Sequence, residues 1–238
     1  MLANKTVVVT GAGRGIGAAT AKLFAQNRAN VVIVSRTQRQ LDEVCRQIQK
    51  QSPGVKVLTI VGDLSRQEFC KDIFERTKNE FGRIDVLVNN AAVFRGAPVE
   101  ETSLSMWEEV IRVNVTSVFL MAKEAFYHMK DNGGCIVNIS SLGGIRGTQK
   151  FKGFSAYTTS KAAVIGLTES LAVEGGPFGI QVNCIAPGAV DTQMLKEAAP
   201  HLRTSTKPED IARIILFFSD KEQSGKCNGT IFEVLTNE

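Results

Sequence analysis

The 238-residue sequence predicts an α/β fold, a doubly wound parallel sheet with helices on both faces in three αβα layers. Three observations carry that expectation. Short runs rich in Val and Ile alternate with stretches of helical length and pattern. The runs are continuously apolar, as strands covered on both faces must be. The first run ends on a glycine cluster that opens the following helical stretch. Right-handed crossovers between parallel strands then distribute helices over both faces of one sheet.

The elements follow in order. Thr6–Thr10 is a β-branched run that stops at Gly11, and residues 18–26 read as the first helix. Residues 31–34 form a second strand and the amphipathic stretch 38–50 a second helix, ended by Ser52, Pro53 and Gly54. Residues 55–61 are the third strand, with Ser65 placed to cap a helix that reaches about residue 80. Residues 84–88 are the fourth strand, and one long helical region covers 104–129. After a turn at 131–134 come a strand at 135–139, a helix at 156–174, a strand at 180–185, a helix at 208–218 and a last strand at 230–235. The least regular segments, 143–153 and 191–206, each follow a strand, where open α/β sheets bind ligands. No repeat or long linker divides the chain, so residues 1–238 are expected to form a single domain.

Composition excludes several function classes. Lys and Arg total 28 against 24 Asp and Glu, a net charge of +4 with no basic run, so nucleic acid is not an expected partner. No stretch approaches the roughly 18 apolar residues of a membrane span, and the first residues lack a signal-peptide pattern. The five cysteines, Cys45, Cys70, Cys135, Cys184 and Cys227, are scattered without a Cys-x-x-Cys pair, which suits a reducing cytoplasm and argues against a metal site. His128 and His201 have no metal-spaced partners.

The glycine cluster Thr10-Gly11-Ala12-Gly13-Arg14-Gly15-Ile16-Gly17 stands between the first strand and the first helix. Glycine lets the backbone turn with positive φ and approach a ligand closely, and a helix N-terminus attracts phosphate. In the first βα unit such a loop points to a dinucleotide cofactor. The second strand ends Ser35-Arg36-Thr37, without the carboxylate that would bond a ribose 2′-OH. Guanidinium groups at Arg36 and Arg14 suit a 2′-phosphate, so NADP(H) is favoured over NAD(H).

Tyr157 and Lys161 stand four apart at the start of a helix and share a face. An ammonium beside a phenol favours the phenolate and lowers the phenol pKa from about 10 toward the working range of an acid–base catalyst. A surface Tyr–Lys pair at this spacing is common, so the pair needs company.

That company is Thr10 to Gly17, Asp63-Leu64, Asn89-Asn90-Ala91, Asn114, Ser140-Ser141, Tyr157 with Lys161, and Pro187-Gly188 followed by Thr192. In this order the motifs resemble the short-chain dehydrogenase/reductase family, with its Rossmann fold, almost from end to end. The resemblance implies hydride transfer between a nicotinamide and a carbonyl or secondary alcohol. It implies Tyr157 as general acid and base, Lys161 holding the nicotinamide ribose and lowering the Tyr157 pKa, Ser141 orienting the substrate oxygen, and Asn114 anchoring a proton-relay water. Gly11, Arg14, Gly15, Ile16 and Gly17 would wrap the phosphates, with Ser35 and Arg36 at the 2′ position. Asp63 and Leu64 would border the adenine, Asn90 and Ala91 its ribose, and Pro187, Gly188, Val190 and Thr192 the nicotinamide. Backbone cross-linking by Asn114 in a helix and helix capping by Asp63 remain competing roles, and Ser140 competes with Ser141.

Three departures from the family pattern carry expectations of their own. Ala92 stands where the pattern has glycine. The segment between Ser141 and Tyr157 is a few residues longer than usual and carries Lys150 and Lys152, which could favour an anionic substrate. The segment from Thr192 to Glu209 is shorter than the usual lid, which predicts a more open pocket. The resemblance implies a homodimer or homotetramer, although residues 229–234 lack the usual ending and could alter the assembly. Candidate substrates range from a 3-ketoacyl carrier protein to small ketones, sugars or steroids. The competing function on the same fold is a non-catalytic dinucleotide sensor.

Overall fold

In the computed structural model, which describes residues 2–236, seven parallel strands form one sheet in the order β3-β2-β1-β4-β5-β6-β7. These are β1 (Thr6–Thr10), β2 (Asn30–Ser35), β3 (Val57–Val61), β4 (Val86–Asn89), β5 (Gly134–Ile139), β6 (Ile180–Pro187) and β7 (Ile231–Val234). The helices are α1 (Gly15–Gln26), α2 (Gln38–Gln51), α3 (Gln67–Phe81), α4 (Leu104–Ile111), α5 (Ser117–Met129), α6 (Ser155–Gly175), α7 (Gln193–Ala198), α8 (Pro208–Ser219) and α9 (Lys221–Ser224).

Alternation along the strands builds two cores. Val7 and Val9 of β1 face one side, where Phe24 of α1, Leu41 and Ile48 of α2 and Ile211, Ile215 and Phe218 of α8 cover them. Val8 faces the other, under Ile73 and Phe74 of α3, Met121 and Met129 of α5 and Leu171 of α6. The result is the three-layer, doubly wound Rossmann fold that the apolar runs predict. Strand order reverses at β1, whose neighbours are β2 and β4. The chain therefore diverges to opposite faces beyond the ends of these strands and leaves a crevice there.

Two local departures from the sequence expectations have clear causes. Ser65 does not cap α3: its N–H is taken by the Asp63 carboxylate at 3.0 Å, and the helix starts at Gln67. The expected continuous helix over 104–129 is interrupted by a π-helical turn at Arg112–Thr116, between α4 and α5. Asn114 sits in that turn and is 1% exposed. Such turns commonly mark functional sites.

Candidate active site

The glycine loop is locked from behind. Thr10 Oγ1 donates to Val88 O (3.1 Å) and accepts from the N–H groups of Asn90 (3.0 Å) and Ala91 (3.1 Å). One hydroxyl thus ties the end of β1 to the chain leaving β4. Gly11 and Gly15 hold φ of 64° and 55°, a region that favours glycine. A Cβ at Gly13 would fall 2.7 Å from Gln40 Oε1. Arg14 precedes α1 in extended conformation with no side-chain cap, so the first N–H groups of α1 face the crevice.

The crevice is a cleft of about 350 Å³ lined by Gly11, Arg14, Gly15, Ile16, Ser35, Arg36, Asp63, Leu64, Asn90, Ala91, Tyr157, Lys161 and Thr192. It brings together thirteen of the residues that the sequence singled out for a cofactor. Gly17 is a correction: it is buried, and a Cβ there would collide with Gly11 O and lie 2.5 Å from Asn90 Nδ2. Its lack of a side chain serves the approach of α1 to the loop. Pro187, Gly188 and Val190 line an adjoining pocket instead. Ala92 lies in the cleft wall, and its φ is not positive, so the methyl costs no backbone strain.

Charge along this cleft is asymmetric. Arg36 is exposed beyond β2, and Ser35 Oγ accepts from Thr37 N–H at 3.2 Å. The Asp63 carboxyl is held below its ordinary range, first by the Ser65 N–H, with the Arg36 and Arg112 charges adding to it. Asp63 therefore both fixes the turn before α3 and faces the cleft. Arg14 reaches across to Glu197 of α7 at 3.9 Å, an exposed pair of little energetic weight. The cradle fits a dinucleotide: tight glycines, uncapped helix N–H groups and two guanidiniums stand where phosphates would lie.

Beyond it, α6 presents Tyr157 and Lys161 one turn apart. The Lys161 ammonium lies 5.6 Å from the Tyr157 ring centroid and donates to Ile139 O at 2.9 Å. Lys161 is 3% exposed, and burial pushes its pKa down to about 8. Burial pushes the Tyr157 phenol up to about 12, opposed by a hydrogen bond from Ser141. The expected lowering of Tyr157 by Lys161 is thus a second correction. The ammonium donates to the Ile139 carbonyl, and burial is the largest influence on the phenol.

The two serines separate cleanly. Ser140 Oγ is spent on Lys161 O at 2.7 Å and is 3% exposed. Ser141 Oγ accepts from Gly143 N–H at 3.1 Å and faces Tyr157. Asn114 is fixed on both sides of its amide. Its Oδ1 accepts from Val93 N–H (2.8 Å), and its Nδ2 donates to Val93 O (2.9 Å) and Ser160 Oγ (3.0 Å). Both amide hydrogens are engaged, so this side chain cross-links backbone, the competing role that the sequence left open.

The adjoining pocket, of about 180 Å³, opens from Ser141 and Tyr157 and is walled by Phe94, Leu142, Phe151, Phe154, Leu195 and Leu202. Phe94 meets the Tyr157 ring edge-on at 5.5 Å. None of these aromatic residues stood out in the sequence. The available signals were that Phe94 follows the end of a strand and that Phe154 lies just ahead of Tyr157 at the start of α6. Tyr157 and Thr192 line both the cleft and the pocket. Among the described residues, no group of three His, Cys, Asp or Glu could hold a metal ion, and no helix is long and apolar enough to cross a membrane.

Comparison with known proteins places this geometry in a family. A model of the short chain dehydrogenases matches residues 5–203, and the chain belongs to that family. It is 36% identical to a 3-oxoacyl-[acyl-carrier-protein] reductase, FabG, of Thermotoga maritima, over 94% of this chain and 93% of the relative. It is 35% identical to a cis-4-hydroxycyclohexanecarboxylate dehydrogenase of Sinomonas cyclohexanicum, over 93% of this chain and 92% of that one. Among solved structures, levodione reductase superposes with a TM-score of 0.91 at 30% identity, covering 98% of this chain and 97% of the other. A short chain dehydrogenase from Burkholderia cenocepacia J2315, solved with NADP, gives 0.89 at 32% identity over the same shares. The chain is thus a member of a family of oxidoreductases.

Proposed function

We propose that this chain is an NADP(H)-dependent oxidoreductase that reduces a carbonyl or oxidises the matching secondary alcohol, as one catalytic domain. The observation that carries the proposal is the position of Tyr157, on the boundary between a dinucleotide-shaped cleft and an apolar pocket. A carbonyl held in the pocket would accept hydrogen bonds from Ser141 and Tyr157. A nicotinamide bound in the cleft would supply or accept the hydride. During reduction the Tyr157 hydroxyl gives its proton to the carbonyl oxygen as negative charge develops there. In oxidation the phenolate takes it back.

Lys161 lines the cleft one helical turn from Tyr157 and would hold ribose hydroxyls of the bound nucleotide. Asn114 is a positioning residue: it fixes Val93 and, through Ser160, the backbone of Tyr157, whose O accepts from Ser160 Oγ at 2.7 Å. The preference for NADP(H) is supported by Arg36 and Arg14 on the cleft rim, by the absence of a carboxylate at the end of β2, and by the NADP-bound relative.

The test is a panel of ketones and alcohols with NADPH and NADH, followed at the nicotinamide absorbance, for the wild type and Tyr157→Phe. Turnover with NADPH that Tyr157→Phe removes is the expected result. Turnover that survives the substitution rejects the mechanism, and a preference for NADH rejects the cofactor assignment.

The five unpaired cysteines support a cytoplasmic location. Phe217 and Phe232, 40% and 41% exposed around one shallow depression, support a homodimer or homotetramer. Light scattering that returned a monomer at micromolar concentration would reject that assembly.

A further inference from the structure

We infer that the pocket beside Tyr157 takes a compact, uncharged, apolar carbonyl compound, and that Lys150 shapes its wall as a staple instead of receiving an anion. The inference rests on the proposed carbonyl chemistry at Tyr157 and Ser141 and goes further by naming the substrate class.

Among the described residues, Lys150 is the one charged residue that lines the pocket. An ammonium has three protons to donate. The Lys150 Nζ directs hydrogen bonds at Gly143 O (2.7 Å), Ile145 O (2.5 Å) and Thr148 Oγ1 (2.9 Å). Thr148 Oγ1 is bonded in turn to Leu142 O (2.5 Å) and Ile145 O (3.0 Å). Gly147, at φ 82°, makes the reversal that brings the two ends of the loop together. The result is a loop clipped shut from Leu142 to Lys150, with the ammonium of this exposed residue engaged by the loop's own carbonyls.

The rest of the wall offers an anion little. Phe151 meets Phe154 at a tilt with ring centroids 5.5 Å apart, and Phe154 meets Phe94 likewise at 4.6 Å. Leu195 and Leu202 add aliphatic carbon to the lining. An anionic tail entering here would lie unpaired against aromatic and aliphatic carbon or would have to break the clip, and both are costly. A neutral ring or short alkyl group would gain contact with the rings while its carbonyl reaches Ser141 and Tyr157. Lys150 is thus a positioning residue, acting through the loop on the width of the pocket.

The test pairs matched neutral and anionic ketones: cyclohexanone with 4-oxocyclohexanecarboxylate, and acetophenone with 4-acetylbenzoate. With NADPH, the wild type is expected to favour the neutral member of each pair by about tenfold or more in kcat/KM. Lys150→Met is expected to raise KM for the neutral ketones while leaving kcat within about twofold, and Lys150→Arg to restore KM in part. Independently of turnover, chymotrypsin should cut Lys150→Met faster than wild type next to Phe151, because the loop is no longer clipped. Preference for the carboxylates, or a Lys150→Met loss confined to them, would overturn the inference and leave the carbonyl chemistry standing. Unchanged cleavage by chymotrypsin would overturn the staple. Failure of the wild type to reduce any of the four ketones with either nicotinamide would reject the carbonyl reading itself, and the substrate class with it.

Discussion

Asn114 and Val93 exchange two hydrogen bonds, N–H to Oδ1 at 2.8 Å and Nδ2 to O at 2.9 Å. The amide mimics one rung of a β-ladder and pins the chain leaving β4 to the π-helical turn. Asn114→Leu would leave the Val93 N–H and C=O buried without partners. The expected loss of stability is about 2–4 kcal/mol, read by urea denaturation. Activity should fall with it, because Ser160, and through it the backbone of Tyr157, loses a partner. A variant as stable as wild type would remove the positioning role.

Tyr157 and Ser141 should separate chemistry from folding. Tyr157→Phe deletes the proton donor and leaves the ring against Phe94. Its expected effect is a fall in kcat of about 10²- to 10⁴-fold with a melting temperature close to wild type. Ser141→Ala should lower kcat by less and shift the pH profile upward, since the Ser141 hydrogen bond opposes the burial that holds the Tyr157 pKa up at about 12. Identical pH profiles for Ser141→Ala and wild type would contradict this.

Lys161 is expected to cost stability in the ligand-free protein. Its pKa falls from 10.5 unfolded to about 8 folded, so at neutral pH the fold carries a desolvated ammonium. Between those values the unfolded chain binds more protons, and this contribution makes stability rise with pH. Lys161→Met removes the penalty but also the hydrogen bond to Ile139 O. The net gain at pH 7 is on the order of 2 kcal/mol, or roughly 4–8 °C in melting temperature. Thermal melts of both proteins at pH 7 and pH 9.5 should show the gap narrowing at the higher pH. A gap that widens with pH would reverse the assignment. Catalysis should be lost in the same variant.

Cofactor preference is expected to hinge on Arg36. A charge-assisted hydrogen bond to a 2′-phosphate contributes about 1.5–3 kcal/mol, so Arg36→Asp should weaken NADPH binding by about 10- to 100-fold and favour NADH. Calorimetric titration with each nucleotide reads this directly. Gly17→Ala should act differently, because its Cβ presses on Asn90 and the Gly11 carbonyl. It is expected to lower stability by about 1–3 kcal/mol and to weaken both nucleotides together.

The sheet was legible because its strands are continuous β-branched runs with abrupt polar ends. The ends of β1, between Lys5 and Gly11, fall where the sequence puts them. Short α7 escaped because its six residues are too few to show a period. Tyr157, Lys161 and the glycine loop were legible as motifs, since order and spacing survive in one dimension. The direction of the Tyr157 pKa was not, because burial and the aim of the Lys161 ammonium are properties of packing. Nor did any pattern separate Ser140 from Ser141 on physical grounds. That needed the Lys161 carbonyl, 21 positions away, to claim the first hydroxyl.

The π-helical turn between α4 and α5 has a consequence for how this chain tolerates length changes. Each residue of an α-helix advances about 100° around its axis, and a π turn absorbs an extra one. Upstream of it, Val110 is buried; downstream, Val118, Met121, Ala122, Ala125 and Met129 are. Removing one residue from 112–116 would restore an unbroken helix but rotate one half against the other by that angle. Either the methionines would leave the sheet or Asn114 would leave Val93. The segment is therefore a phase shifter, and a deletion there should be far more damaging than one in a solvent-facing loop.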